Sequence, residues 1–306
     1  MGPQGRARRR ILGALVAILS ATIAAGPSAH GPAVAAPVVT LEPLAVTDTS
    51  AWRRPSPDPT GLTYRPNTGE LIVSDAEVDE IGALWSGANL FTASRRGRLV
   101  RAGSVRRVSL EPEDVAWYGG TLFVVDDQAK AIFRCGAGHD RRIGTADDRC
   151  RRILRTRAFG SRDPEGLAFA GPKRSLFVTD AHGGRVIQVQ RGRDGRFGGG
   201  DDVVRAFDVA SLGVRRPEDV EFDRQTNHLL IVGGRDDVIV ETTLRGKLVR
   251  TFDISAANLT NASGIALAPG LRAPLGLHIF VTDKGTDNRT DPGENDGRIL
   301  EFPRPS

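Results

Sequence analysis

Carboxylates recur in this chain at a spacing that would gather them in one place. Glu113, Glu165 and Glu218 each stand second in a short motif, PEDVAW, PEGLAF and PEDVEF, with about fifty residues from one to the next. Three converging carboxylates repel one another unless a cation or a basic partner lies between them. A calcium ion with oxygen ligands would serve, as would an arginine from a neighbouring unit. Alternatively, each Glu caps backbone N–H groups in its own turn, and no site exists.

A second acidic pattern is local. Residues 138–148, GHDRRIGTADD, align position for position with residues 192–202, GRDGRFGGGDD, so that Asp140, Asp147 and Asp148 match Asp194, Asp201 and Asp202. Acids separated by glycine-rich turns let several oxygens wrap one hard cation, although the spacing is not that of the twelve-residue EF-hand loop. Calcium or a solvated Asx-turn hairpin are the two expectations. Two longer acidic inserts, 75–89 and 283–297, would form a rim containing Glu77, Asp79, Glu80, Asp287, Glu294 and Asp296.

Catalytic signatures are sparse. Neither G-x-S-x-G nor H-E-x-x-H occurs, and His182, two residues beyond Asp180, is the best-placed histidine for a general base. It is equally expected as a surface turn residue. Arginine-dense stretches, DDRCRRILRTR and RRGRLVRAGSVRR, suit phosphate through bidentate hydrogen bonds.

The elements that must position these side chains are repeated. PTGLTY, PEDVAW, PEGLAF, PEDVEF and NASGIAL follow one plan, with Gly or Asp in the third motif position at 61, 114, 166, 219 and 264. Each motif leads into a second apolar run ending at Asp75, Asp126, Asp180 or Asp283, the fourth unit breaking the pattern with LIVGG. Those aspartates are expected to accept backbone hydrogen bonds in tight turns. Two further β-like runs complete each unit. Four short strands at this period describe a propeller blade, so the expected fold is all-β, a five-bladed β-propeller of four-stranded antiparallel blades. The fifth unit ends after its third strand at RILEF, and residues 38–46 are expected to complete it and close the ring. A six-bladed ring is the alternative; its extra blade would have to lie in the N-terminal segment, where no motif stands.

In PEGLAF…LFVTDAHGGRVIQV and PEDVEF…LLIVGG the chain resembles blades of the NHL and gluconolactonase-like propellers. With SDAEVDE…GANLF and DKGTDN…ENDGRILEF it is similar to exported bacterial propellers of the SdiA-regulated and phytase-like esterase type. For the gluconolactonase-like group, the resemblance implies a channel metal held by acidic and amide side chains where Glu113, Glu165 and Glu218 stand. The chain departs from three-fold acidity elsewhere in the ring, with Thr60 and Ser263 at the corresponding positions. Because one propeller ring hosts hydrolases, lactonases and binding modules alike, the resemblance specifies fold more closely than activity.

Residues 1–35 read as a secretory signal peptide: GRARRR, an apolar stretch shorter than a membrane span, and AVA before residue 36. The export route is Sec or twin-arginine, since Arg8 and Arg9 precede the apolar stretch. Residues 36–306 are then one propeller domain of an extracytoplasmic bacterial protein with no transmembrane segment. Without the four arginines of residues 1–35, the formal charge falls from +5 to +1, which removes the case for nucleic acid. Cys135 and Cys150 are expected to form a disulfide. A monomer binding calcium and a small-molecule or protein ligand is one functional expectation. The other is a metal-dependent hydrolase of esters, phosphoesters or lactones using the channel carboxylates.

Overall fold

The computed structural model describes residues 36–171, 174–272, 276–287 and 289–305. The expected signal peptide lies outside them. Five sheets radiate from one channel. The first blade runs outward through Pro59–Arg65, Glu70–Asp75, Leu90–Ser94 and Leu99–Gly103. The second and third begin with Pro112–Tyr118 and Pro164–Ala170 and end with Arg149–Arg155 and Val203–Asp208. Pro217–Asp223 and Ala262–Pro269 are the innermost strands of the fourth and fifth. The five innermost strands neighbour one another in a closed circle.

Second strands such as Thr121–Asp126 and Ser175–Asp180 are buried along their whole length because both faces meet a neighbouring sheet. That explains their near-continuous apolar sequence. Five hydrophobic clusters fill the five gaps between consecutive blades, including the gap between the last blade and the first. The packing therefore closes the ring.

Closure differs in detail from the sequence expectation. Ala45–Asp48, not all of residues 38–46, adds the fourth strand of the fifth blade, pairing antiparallel with Arg298–Glu301. Val38–Thr40 pairs instead with Thr251–Asp253, in parallel, as a fifth strand on the fourth blade. The residues between them cross from one blade to the next, and Leu41 is buried in the core that joins those two blades.

Each innermost strand carries a register shift at its start, between Pro59 and Gly61, Pro112 and Asp114, Pro164 and Leu167, Pro217 and Asp219, and Ala262 and Ile265. A bulge leaves one residue outside the ladder and re-aims its side chain. The re-aimed residue is the second of the repeat motif. Strand geometry thus delivers Thr60, Glu113, Glu165, Glu218 and Ser263 to one end of the channel.

The expected disulfide is present. Cys135 and Cys150 are directly opposed on adjacent strands of the second blade and are bonded to each other. Among the described residues no helix is long and apolar enough to cross a membrane.

Candidate functional site

The bulged positions form a cup at the hub. Its two neutral members fasten blades together: Ser263 Oγ donates to the Pro59 carbonyl at 2.7 Å, and Thr60 Oγ1 to the Pro112 carbonyl at 3.2 Å. Glu113 and Glu165 remain partly exposed, whereas Glu218 is buried. Burial raises the pKa of Glu165 to about 8, with the charge of Glu218 adding to it. Burial likewise raises Glu113 well above its ordinary value, and the charge of Glu165 adds to the effect.

A basic partner stands among these acids. Lys284 Nζ lies 3.4 Å from Glu218 Oε2. Burial works against its charge, but Glu218, Asp58, Glu165 and Glu113 together hold the ammonium more tightly protonated than usual. Lys284 follows the repeat aspartate of the fifth unit, where the other units carry Ala76, Asp127, Ala181 and Gly234, and nothing in its local sequence marks it as a partner of the glutamates. Asp58, immediately before the first motif, completes the cup. It is 1 % exposed, its pKa is raised well above normal by burial, and its Oδ1 has no hydrogen-bond partner.

The channel is closed one residue further in. Asp114 accepts the N–H groups of Leu62 at 3.1 Å and Leu167 at 2.7 Å, one from each neighbouring blade. Asp219 accepts that of Ile265 at 2.7 Å. The two carboxyls hydrogen-bond to each other across the channel, and burial raises both pKa values, which favours their protonated forms. This accounts for the Gly/Asp alternation in the third motif position. A Cβ on Gly61 would lie 2.4 Å from Asp114 Cα, and one on Gly166 2.4 Å from Asp219 Cα. Each aspartate needs glycine beside it.

The repeat aspartates organise the turns above the cup. Asp75 accepts from Ser56 Oγ and from the Asp58 and Val78 N–H groups, Asp180 from Arg162 and Asp163, and Asp283 from Asn261 and Gly285. In the fourth blade Asp236 takes over, accepting from Arg215 N at 2.8 Å. His182 is exposed in the turn after Asp180. The acidic rim is partly drawn inward: Glu294 is 3 % exposed, with both carboxylate oxygens lacking partners, and burial raises its pKa to about 7, helped by the charge of Glu77.

The aligned loops fold alike. Gly144 N donates to Asp148 Oδ2 and Gly198 N to Asp202 Oδ2, both at 2.7 Å; Asp140 N donates to Asp147 and Asp194 N to Asp201, both at 3.2 Å. Of the positions at which their sequences differ, one stands beside the paired aspartates. Thr145 Oγ1 fills the second-blade loop, donating to Asp147 Oδ1 at 2.7 Å. In the third blade Gly199 stands there without a side chain, and its Cβ position lies 2.8 Å from Asp194 Oδ2 and 3.0 Å from Asp201 Oδ1, so the two carboxylates crowd against the glycine.

Tested against calcium, the two acidic sets separate. At the hub the Lys284 ammonium pairs with Glu218, so one of the acids gathered there already has a basic partner. The loop at 192–202 offers two converging carboxylate oxygens, the kind of donor calcium takes. Among the described residues no three His, Cys, Asp or Glu side chains are arranged to hold a metal ion.

The propeller is similar to glutaminyl cyclase of Myxococcus xanthus, with a TM-score of 0.54 and 16% identity over 88% of this chain and 98% of that one. It is also similar to regucalcin, a calcium-binding protein of Agrobacterium tumefaciens, with a TM-score of 0.52 and 12% identity over 88% and 97% of the two chains. A luciferin-regenerating enzyme matches with a TM-score of 0.50 and 11% identity over 85% and 95%. At these identities the likeness establishes the fold. No curated protein matches the sequence. Residues 56–271, however, match the SdiA-regulated family, and with its repeats, its bulged hub strands and its five closed blades this chain belongs to that family.

Proposed function

We propose that this chain is an exported binding propeller whose hub cup takes a small ligand bearing a protonated amine. One observation carries the reading: a single ammonium stands among Asp58, Glu113, Glu165 and Glu218, and the buried Asp58 Oδ1 is left without a donor. The acids outnumber the base, and the raised pKa values of Glu113 and Glu165 come first from burial and then from the neighbouring carboxylates. A ligand ammonium would supply both the missing charge and the missing N–H. The closed channel beneath, plugged by Asp114 and Asp219, gives the cup a floor. Export is supported by the Cys135–Cys150 disulfide, since such bonds persist in oxidising compartments.

Calcium enters this proposal as a structural ion at Asp194 and Asp201, where it would order the 192–202 loop. The metal-dependent hydrolase reading has less support. Lys284 pairs with Glu218 at the hub, and the dense arginines lie elsewhere. Glu113 lies at the start of the strand Pro112–Tyr118 and Tyr118 at its end beside those arginines, a span of about 16 Å at strand rise.

Calorimetric titration of residues 36–306 with small primary amines, their neutral alcohol analogues and small carboxylic acids tests the reading, with and without a chelator. Saturable amine binding is expected, weakened at least tenfold in Glu165→Gln and unaffected by chelator. Equal responses to amines and alcohols, or turnover of aryl esters abolished by chelator, would overturn it.

A further inference from the structure

Away from the hub, between the second and third blades, a recess of about 640 Å³ is lined by Arg134, Arg151, Arg152, Arg191 and Arg196 and by no acidic residue. None of these five is among the salt-bridged arginines of the described residues. Arg134 and Arg151 are directly opposed on adjacent strands, an arrangement of like charges that costs stability. Arg191 Nε is buried without a hydrogen-bond partner. The fold thus holds guanidinium groups together without compensating them.

The wall beside them is aromatic. Tyr118 lies 4.1 Å and Phe123 5.1 Å from Phe169, centroid to centroid, and Phe197 meets its edge at 6.1 Å. Arg191 lies over both Phe169 and Phe197, at 5.5 and 4.8 Å. Arg196 and Phe197 come from the 192–202 loop.

The molecule contains its own comparison. One blade earlier a recess of about 580 Å³ is lined by Arg65, Arg101, Arg141 and Arg142, but there Glu70 and Asp140 face them. Loop and strands are alike, yet only one of the two recesses is compensated. Volume and lining suit a small molecule, and a guanidinium fork pairs with phosphate oxygens in bidentate fashion.

We infer that the recess between the second and third blades is a binding site for a ring-bearing phosphate: the arginines take the phosphate and the Phe169 wall takes the ring. The test is fluorescence titration of residues 36–306 with 1-naphthyl phosphate, with 1-naphthol and inorganic phosphate as its two halves. The intact ester is expected to bind at least tenfold more tightly than either half. Arg151→Ala combined with Arg152→Ala, both exposed positions, should weaken it at least tenfold, as should Arg196→Ala alone, with melting temperatures near that of the parent. Arg142→Ala, in the compensated recess, should change nothing. Absence of saturable binding, equal binding of ester and inorganic phosphate, or equal loss in the Arg142 variant would overturn the assignment.

Discussion

Asp219 and Asp114 show how one side-chain pair serves the backbone and sets a pH response at once. Five innermost strands turn their free edges toward the channel, and buried N–H groups without acceptors cost roughly 1–3 kcal/mol each. The two aspartates supply acceptors to Leu62, Leu167 and Ile265. They do so where burial raises both pKa values above those of the unfolded chain. The folded state therefore holds a proton that the unfolded state releases. The pair's contribution is complete below the ordinary carboxyl pKa near 4 and declines as pH rises toward the folded value of about 8 for Asp114. Asp219→Asn keeps the bridge but cannot ionise. Urea melts should show parent and variant converging near pH 4, with the variant more stable at pH 8 by on the order of 1 kcal/mol or more. Parallel pH profiles would show that no proton is shared.

Among the elements, the second blade is the one carrying a covalent staple. Cys135 and Cys150 join its third and outermost strands at the base of the 138–148 loop. Closing a loop of this length restricts the unfolded chain by about 3 kcal/mol in the chain-entropy estimate. Cys135→Ser with Cys150→Ser should lower unfolding free energy by about that amount and leave strand content in circular dichroism unchanged. The third blade has the matching loop but no cysteines, and there two aspartate oxygens lie close to Gly199. At that position the second-blade loop instead carries Thr145, whose hydroxyl donates to Asp147.

At the scale of the molecule, the ring depends on segments distant in sequence. Ala45–Asp48 closes the fifth blade against Arg298–Glu301, and Val38–Thr40 covers the edge of the fourth. Without them two outer strands would present unpaired N–H and C=O groups, the condition that promotes edge-to-edge association. A chain starting at residue 49 should unfold at a markedly lower temperature than residues 36–306 and form soluble aggregates in light scattering. A monomeric truncation with an unchanged melting temperature would remove this role from the N-terminal strands.

The blade repeat, the disulfide partners and the arrival of Glu113, Glu165 and Glu218 at one end of the channel were legible in the residues, because a period of about fifty residues puts one motif position at the same place in successive units. The bulge that re-aims that position and the burial of the second strands on both faces are seen only in the folded ring. What balances those glutamates was not legible either. Lys284 is 66 residues from Glu218 in sequence and meets it only where the fourth and fifth blades pack side by side. The division of the N-terminal segment between two blades is likewise a matter of register, which depends on which edges lie within reach in the folded ring. Charge compensation escaped the sequence for the same reason. Whether an arginine cluster faces acids, as at Glu70 and Asp140, or only aromatic rings, as at Phe169, is decided by which blade surfaces the closed wheel presses together.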